Sequence, residues 1–128
     1  MNELNHQHVN NKSGPKDIAA IGKVPLQLIP GAAAAHVAVA LAEGAEKYGP
    51  FDWRKNPVLA MTYVGAAKRH IDAWVDGLEF DPSSTRHPIA HAIAGLMILL
   101  DAMECGQLID DRPVAAPTSD LHEQLRHK

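Results

Sequence analysis

The chain has 128 residues and a formal net charge of −3, with basic and acidic residues mixed along its length. This length is typical of one domain, and the charge excludes a strongly basic surface of the kind that binds nucleic acid polymers. Nearly half of the residues are hydrophobic, with few aromatic residues, which favours packed helices over a β-sandwich. The single cysteine excludes an intrachain disulfide. The polar N-terminus and the short apolar runs predict a cytoplasmic protein without a membrane segment.

The first third of the chain begins with a polar segment, residues 1–15, which predicts a flexible arm. Residues 16–30 contain two prolines and are expected to form an extended segment. A first helix is predicted over about residues 31–48, because Gly49 and Pro50 form a strong helix terminator.

A second helix is predicted from Pro57 to about residue 76, with Asn56 as its N-cap. After a polar loop, a third helix is expected to start at His87 and Pro88 and to end at Gly106. This third helix is apolar on almost every side, which is typical of a helix buried all round.

The C-terminal part, residues 111–128, is predicted to be a linker and a short helix, with Asp120 and Glu123 spaced as a capping box. Residues 16–110 then form the folded domain. Three main helices cannot easily enclose so much apolar surface alone. The predicted fold is therefore an all-α helical bundle that is completed by oligomerisation.

Two carboxylates lie on one face of the first helix, because Glu43 and Glu46 are three residues apart. Carboxylate oxygens are preferred ligands of hard cations such as Mg²⁺ or Mn²⁺. A solvated helix face carries the same residues, so this pair alone is a weak signal.

The loop that follows places cations and an aromatic side chain beside these carboxylates. Lys47, Arg54 and Lys55 are of the type that binds phosphate oxygens, and Trp53 can stack on a nucleobase. Together they predict a nucleotide site. The alternative interpretation is a surface loop in which Trp53 only anchors the chain to the core.

Histidines form a second set of candidates. His70 lies on an apolar stripe of the second helix, where a hydrogen-bonded core histidine is the commoner case. His87 and His91 are four residues apart and could hold zinc, but they lack the glutamate of a zinc-hydrolase motif. His91 is expected to lie deep enough to need a partner, and a carboxylate of the first or second helix is the obvious choice.

Two further residues of the third helix are expected to be structural. Asp101 in a nearly apolar helix requires a partner from another helix or an interface between subunits. Cys105 has no neighbouring base to form a thiolate, so a buried structural thiol is predicted.

A series of short motifs, taken together, is more specific than any one of them. These motifs are Leu28-Ile29-Pro30, Gly44-Ala45-Glu46-Lys47-Tyr48-Gly49, Trp53-Arg54-Lys55, Arg69-His70, Asp81-Pro82-Ser83 and His87-Pro88-Ile89-Ala90-His91-Ala92. From about Lys23 to Ala102 the chain resembles the phage-type dATP/dGTP diphosphohydrolases, small relatives of the MazG-like all-α NTP pyrophosphatases.

The resemblance implies an oligomeric helical enzyme, a homodimer or homotetramer. It would use Mg²⁺ or Mn²⁺ to convert a purine deoxynucleoside triphosphate, dGTP in the first place or dATP, to the monophosphate. MazG-like proteins carry an EExxE motif followed by ExxD. Here Ala42 stands at the first position and no ExxD follows, so only Glu43 and Glu46 are carried over as catalytic residues and metal ligands. The further metal ligands expected are Glu79, Asp81 and His91, and the expected substrate-binding residues are Lys47, Trp53, Arg54, Lys55, Arg69 and His70.

Two other functions stay open from the sequence. One is an HD-type phosphohydrolase that uses His70, His91 and Asp101, although the chain has no His-Asp dipeptide. The other is a non-catalytic helical module for nucleotide binding or oligomerisation, in which the histidines are structural.

Overall fold

The computed structural model describes residues 14–80 and 87–127. The predicted metal ligand Asp81 and most of the predicted N-terminal arm lie outside these residues. By its contacts the chain divides after Pro30 into two compact units. In the first unit, the prediction of an extended segment is wrong: α1 spans Pro15–Ala19, and a 3-10 turn spans Leu26–Leu28. The α1 helix forms because a proline starts it and the Asp17 carboxylate accepts the Gly14 N–H at 3.0 Å.

The second unit is mainly helical, as predicted. Its helices are α2 (Gly31–Tyr48), α3 (Ala60–Val75), α4 (Pro88–Glu104) and α5 (Thr118–Gln124). The α2 helix ends where the sequence predicts, because Gly49 adopts φ +91°, a conformation that glycine reaches without strain.

The start of α3 is three residues later than the sequence predicts. Val58–Leu59 forms a short strand, β1, which pairs in parallel with β2, Leu108–Ile109. The Val58 N–H donates to the Gln107 carbonyl at 2.8 Å, and Asn56 donates its side-chain amide to Asp52 instead of capping a helix. A distant strand therefore overrides the local Asn-Pro signal.

The α4 helix begins and ends as predicted. The Ile89 N–H donates to Nδ1 of the N-cap His87 at 3.1 Å, and Gly106 adopts φ +70° just after the helix. Among the residues that the structure describes, α4 is not buried on every side. One face is buried, whereas large side chains of the other face are more than a third exposed: Ile93, Leu96, Met97, Leu100 and Met103.

The core of this unit consists of two small clusters on α4. The first joins α2 to α4 through Val37, Ala40, Ala90 and Ala94. The second joins β1 and the start of α3 to the C-terminal half of α4 through Val58, Ala60, Leu99 and Ala102. Five of these eight residues are alanines, whose small side chains allow close packing of helices.

The short helix α5 starts after Pro117 and has no side-chain cap. The predicted capping box of Asp120 and Glu123 is therefore wrong, since Asp120 lies inside the first turn. Among the helices of residues 14–80 and 87–127, none has both the length and the apolarity to cross a bilayer.

Candidate active-site cleft

A cleft of about 350 Å³ lies between α2, α3, α4 and the turn that follows α2. Its floor consists of small residues of all three helices, among them Ala40, Ala67 and Gly95. The ionisable and aromatic side chains that line it are Glu43, Lys47, Tyr48, Asp52, Trp53, Tyr63, His70 and His91. Five of the residues that the sequence analysis assigns to substrate or metal binding therefore line this cleft: Glu43, Lys47, Trp53, His70 and His91.

A carboxylate and two imidazoles form one end of the cleft. Oε2 of Glu43 lies 3.6 Å from Nε2 of His91, and both side chains are about four-fifths buried, at 20% and 18% exposure. The His91 ring stacks on the His70 ring with 5.0 Å between centroids and a 19° angle between planes. This confirms that a carboxylate of the first helix pairs with His91.

Aromatic side chains form the other end. Tyr63 lies two turns before His70 on α3, and a Cβ placed on Gly95 of α4 would be 3.9 Å from its ring. Burial raises the pKa of the Tyr63 hydroxyl, and the charge of Asp52 adds to this effect. The Trp53 indole closes this end. The cleft thus runs from a polar end to an aromatic end.

Trp53 and Arg54 both bind Asp101. Nε1 of Trp53 donates to Oδ2 of Asp101 at 2.6 Å, and Arg54 donates Nε to Oδ2 at 2.8 Å and Nη2 to Oδ1 at 3.1 Å. The Arg54 hydrogen bond is the main reason that the pKa of Asp101 is lowered, with Trp53 second. The predicted need of Asp101 for a partner is confirmed, although the partners come from the 3-10 turn Asp52–Arg54.

Arg54 does not line the cleft. Its guanidinium lies 4.7 Å from the centre of the Phe51 ring, and Arg54 lines a second cavity of about 320 Å³, which Trp53 and Asp101 also line. The hydrogen bond to Asp101 raises the pKa of Arg54, so the guanidinium stays charged.

The other predicted site residues that the structure describes lie outside the cleft. Glu46, Lys55 and Arg69 are exposed and are not among the residues that line the cleft. Glu79 lies near the start of α4, with Oε2 at 3.8 Å from Nε2 of His87. Within residues 14–80 and 87–127, no three His, Cys, Asp or Glu side chains are grouped closely enough to hold a metal ion.

Three residues lie in places that the sequence did not predict. Cys105 is exposed, so the prediction of a buried thiol is wrong: it is the C-cap of α4 and lies at the helix end. Tyr63 and Asp52 line the cleft but were missed as site residues. Tyr63 shares the stripe of His70, seven residues apart, and this spacing was the available signal. Asp52 carried none.

Comparison with known proteins agrees with the motif series. Residues 13–112 match the family model described as dATP/dGTP diphosphohydrolase, N-terminal. The chain is 32% identical over 103 residues to a dATP/dGTP diphosphohydrolase of Salmonella phage PMBT28, an alignment that covers 80% of this chain and 35% of the relative. The chain thus spans about a third of the length of this curated relative. No solved structure matches it. From the family match over residues 13–112, this chain belongs to the family of dATP/dGTP diphosphohydrolase N-terminal regions.

Proposed function

We propose that this chain hydrolyses a purine deoxynucleoside triphosphate, dGTP in the first place or dATP, to the monophosphate. The observation that carries the proposal is the cleft itself, which combines the Glu43–His91 pair, Lys47 and two aromatic side chains. The family supports the substrate class, since the relative from Salmonella phage PMBT28 is named for dATP and dGTP.

The two ends of the cleft fit the two ends of a nucleotide. Its volume of about 350 Å³ lies within the usual range of small-molecule sites. Trp53 and Tyr63 offer ring faces on which a purine base can stack. Lys47 lies one helical turn after Glu43 on α2, where its ammonium group would offset the charge of phosphate oxygens. In this proposal, the base lies against the aromatic rings and the triphosphate points to Glu43.

Two carboxylates line the cleft, those of Glu43 and Asp52, and carboxylate oxygens are ligands that Mg²⁺ and Mn²⁺ prefer. Mg²⁺ is commonly held by one or two carboxylates, with waters and substrate phosphates at the other positions, and Glu43 offers such a carboxylate inside the cleft. Glu46, Glu79, Asp81 and His91 are the further ligands that the sequence proposes. When bound, the ion neutralises phosphate charge and lowers the pKa of the attacking water.

The protein's own groups prepare the polar end. The His70 ring stacks on His91, and His91 in turn lies against Glu43, so neighbouring side chains limit the positions that the carboxylate can take. Fixed donors and acceptors lower the barrier because they need no rearrangement during the reaction. Lys47 adds positive charge where negative charge develops on the phosphate.

We also propose that the enzyme is a homodimer or homotetramer. Leu96, Leu100 and Met103 lie on one stripe of α4 at spacings of four and three residues, and each is at least 42% exposed. Contiguous apolar surface of this kind is uncommon on monomers, and a second copy of the chain would cover it.

The HD-type alternative is less well supported. It needs Asp101 beside His70 and His91, but Asp101 follows His91 by ten residues, or about 15 Å along a helix, and binds Trp53 and Arg54 instead. The non-catalytic alternative predicts nucleotide binding without turnover.

The direct experiment incubates the protein with each of the four dNTPs and Mn²⁺ or Mg²⁺ and separates the products by ion-exchange chromatography. We expect dGMP or dAMP, with little product from dCTP or dTTP. Binding without product would support the non-catalytic module. The ratio of pyrophosphate to phosphate released shows whether the reaction occurs in one step or two.

A further inference from the structure

Asp101 makes three hydrogen bonds with two residues of the turn after α2, although it lies outside the lining of the cleft. One oxygen, Oδ2, accepts both the Trp53 indole N–H at 2.6 Å and the Arg54 Nε–H at 2.8 Å. The other oxygen accepts Nη2 of Arg54 at 3.1 Å. Charged, two-point contacts of this type fix orientation as well as distance.

Trp53 is the residue whose orientation this carboxylate controls. Trp53 lines both the cleft and the second cavity, together with Leu41 and Ile98, so these three residues lie between the two open spaces. Side chains of the second core cluster pack against part of it. Apolar packing alone is non-directional, and the indole N–H bond to Asp101 adds a directional contact.

Arg54 also contacts this group of side chains, although it does not line the cleft. Its guanidinium lies over the Phe51 ring, and the Phe51 ring is 5.4 Å from that of Trp53. Phe51 has φ +56°, which is unfavourable for a residue with a bulky side chain and shows that the turn is held by contacts outside its own backbone. Gln107 supplies another contact, by donating to the Arg54 carbonyl at 3.2 Å.

We propose that Asp101 is a positioning residue for the substrate: together with Arg54 it holds the Trp53 indole as the wall against which the purine base stacks. This inference rests on the proposed function for the identity of the ligand. It assigns Arg54 to the support of Trp53, in place of the phosphate-binding role expected from the sequence.

The two roles of Arg54 predict different results for pairs of substitutions. If Arg54 acts through Asp101, the effects of Arg54→Gln and Asp101→Asn on KM do not add, because either change breaks the same contact. If Arg54 binds phosphate directly, the two effects add, since they remove separate interactions.

The experiment uses Trp53 as its own probe, in a Trp74→Phe background that leaves one tryptophan in the chain. Acrylamide quenching of Trp53 fluorescence, dGTP binding and steady-state kinetics are measured for Asp101→Asn, Arg54→Gln, the double variant and the control Glu104→Gln. Glu104 is an exposed carboxylate three residues further along α4.

We expect faster quenching and a KM for dGTP raised about tenfold in each single variant, as follows from the loss of one charge-assisted hydrogen bond. The value of kcat should stay within about threefold, because the reacting phosphate lies at the other end of the cleft. The double variant should match the single variants, and the control should match the parent protein.

Unchanged quenching and KM in Asp101→Asn would overturn the inference, as would additive effects in the double variant. If the parent protein binds dGTP but forms no product, the proposed function fails, and the dissociation constant replaces KM in the same comparison. A dissociation constant unchanged by Asp101→Asn would then contradict the role of Asp101 on its own.

Discussion

The Glu43 carboxylate of α2 lies 3.6 Å from the His91 imidazole of α4, and both are mostly buried at the polar end of the cleft. This contact joins the two helices that carry the first core cluster. Glu46, the other glutamate of the sequence motif, differs from Glu43: it is exposed and does not line the cleft.

This difference predicts unequal roles for the two glutamates. We expect Glu43→Ala to lower kcat/KM for dGTP by about a hundredfold or more, since loss of charge stabilisation at the reacting phosphate is worth several kcal/mol. Glu46→Ala should have a clearly smaller effect. Kinetics of both variants, with circular dichroism as a check on folding, give the comparison. Equal losses would show that both carboxylates act at the reacting centre.

The cations of the loop also differ in position. Both Lys47 and Lys55 are exposed, but Lys47 is among the residues that line the cleft and Lys55 is not. Replacing Lys47 by Gln should raise KM about tenfold, through the loss of one charge-assisted contact to phosphate. Lys55→Gln serves as the matched control and should change KM less than twofold. A larger effect at Lys55 would place the triphosphate on the outer side of the loop.

The contact between Asp101 and Trp53 should weaken at acid pH, when the Asp101 carboxylate becomes protonated. The Arg54 and Trp53 hydrogen bonds hold the pKa of Asp101 below its ordinary value of 3.8. Its stabilising effect is therefore fully present above that value and is lost as the pH falls through the lower, folded-state pKa. Arg54 keeps its charge in this range, and the Cys105 sulfur lies 3.9 Å from the same carboxylate.

The measurement is acrylamide quenching of Trp53 between pH 6 and about pH 2, in the Trp74→Phe background. Quenching should increase at the acid end of this range in the parent protein. In Asp101→Asn it should be high already at pH 6 and change little until the protein unfolds. Identical profiles of the two proteins would contradict the account.

The exposed apolar stripe of α4 predicts self-association. Leu100 is 62% exposed, so a charge there is tolerated by an isolated chain but opposes burial between two copies. Light scattering should give a dimer or tetramer for the parent protein and a smaller species for Leu100→Glu. Glu104→Gln is the control on the same helix and should leave the mass unchanged. A monomeric parent protein would exclude the proposed oligomer.

Much of the fold follows from local signals in the sequence. The ends of α2 and α4 coincide with glycines that adopt positive φ, Gly49 and Gly106, and His87-Pro88 marks the start of α4. The carboxylate partner of His91 was also predictable, because an imidazole on a buried helix face needs one. These features depend on a few neighbouring residues or on the polarity of one face.

The features that could not be predicted depend on contacts distant in sequence. Asn56 and Pro57 do not start α3 as their sequence predicts, because the residues that follow them form β1. This strand pairs with β2, which lies about fifty residues away in the sequence. Spacing shows Glu43 and Glu46 on one face but not which of them turns into the cleft. In the same way, the turn that carries Trp53 and Arg54 meets Asp101 only in the folded chain.

The central claim, hydrolysis of a purine dNTP in this cleft, is tested most directly by chromatography of the products formed from dGTP. The reaction is run with Mn²⁺, with excess EDTA, and with Glu43→Gln in the presence of Mn²⁺. The account predicts dGMP in the first sample and little or none in the other two. Intact dGTP in the first sample, or equal amounts of dGMP in all three, would contradict it.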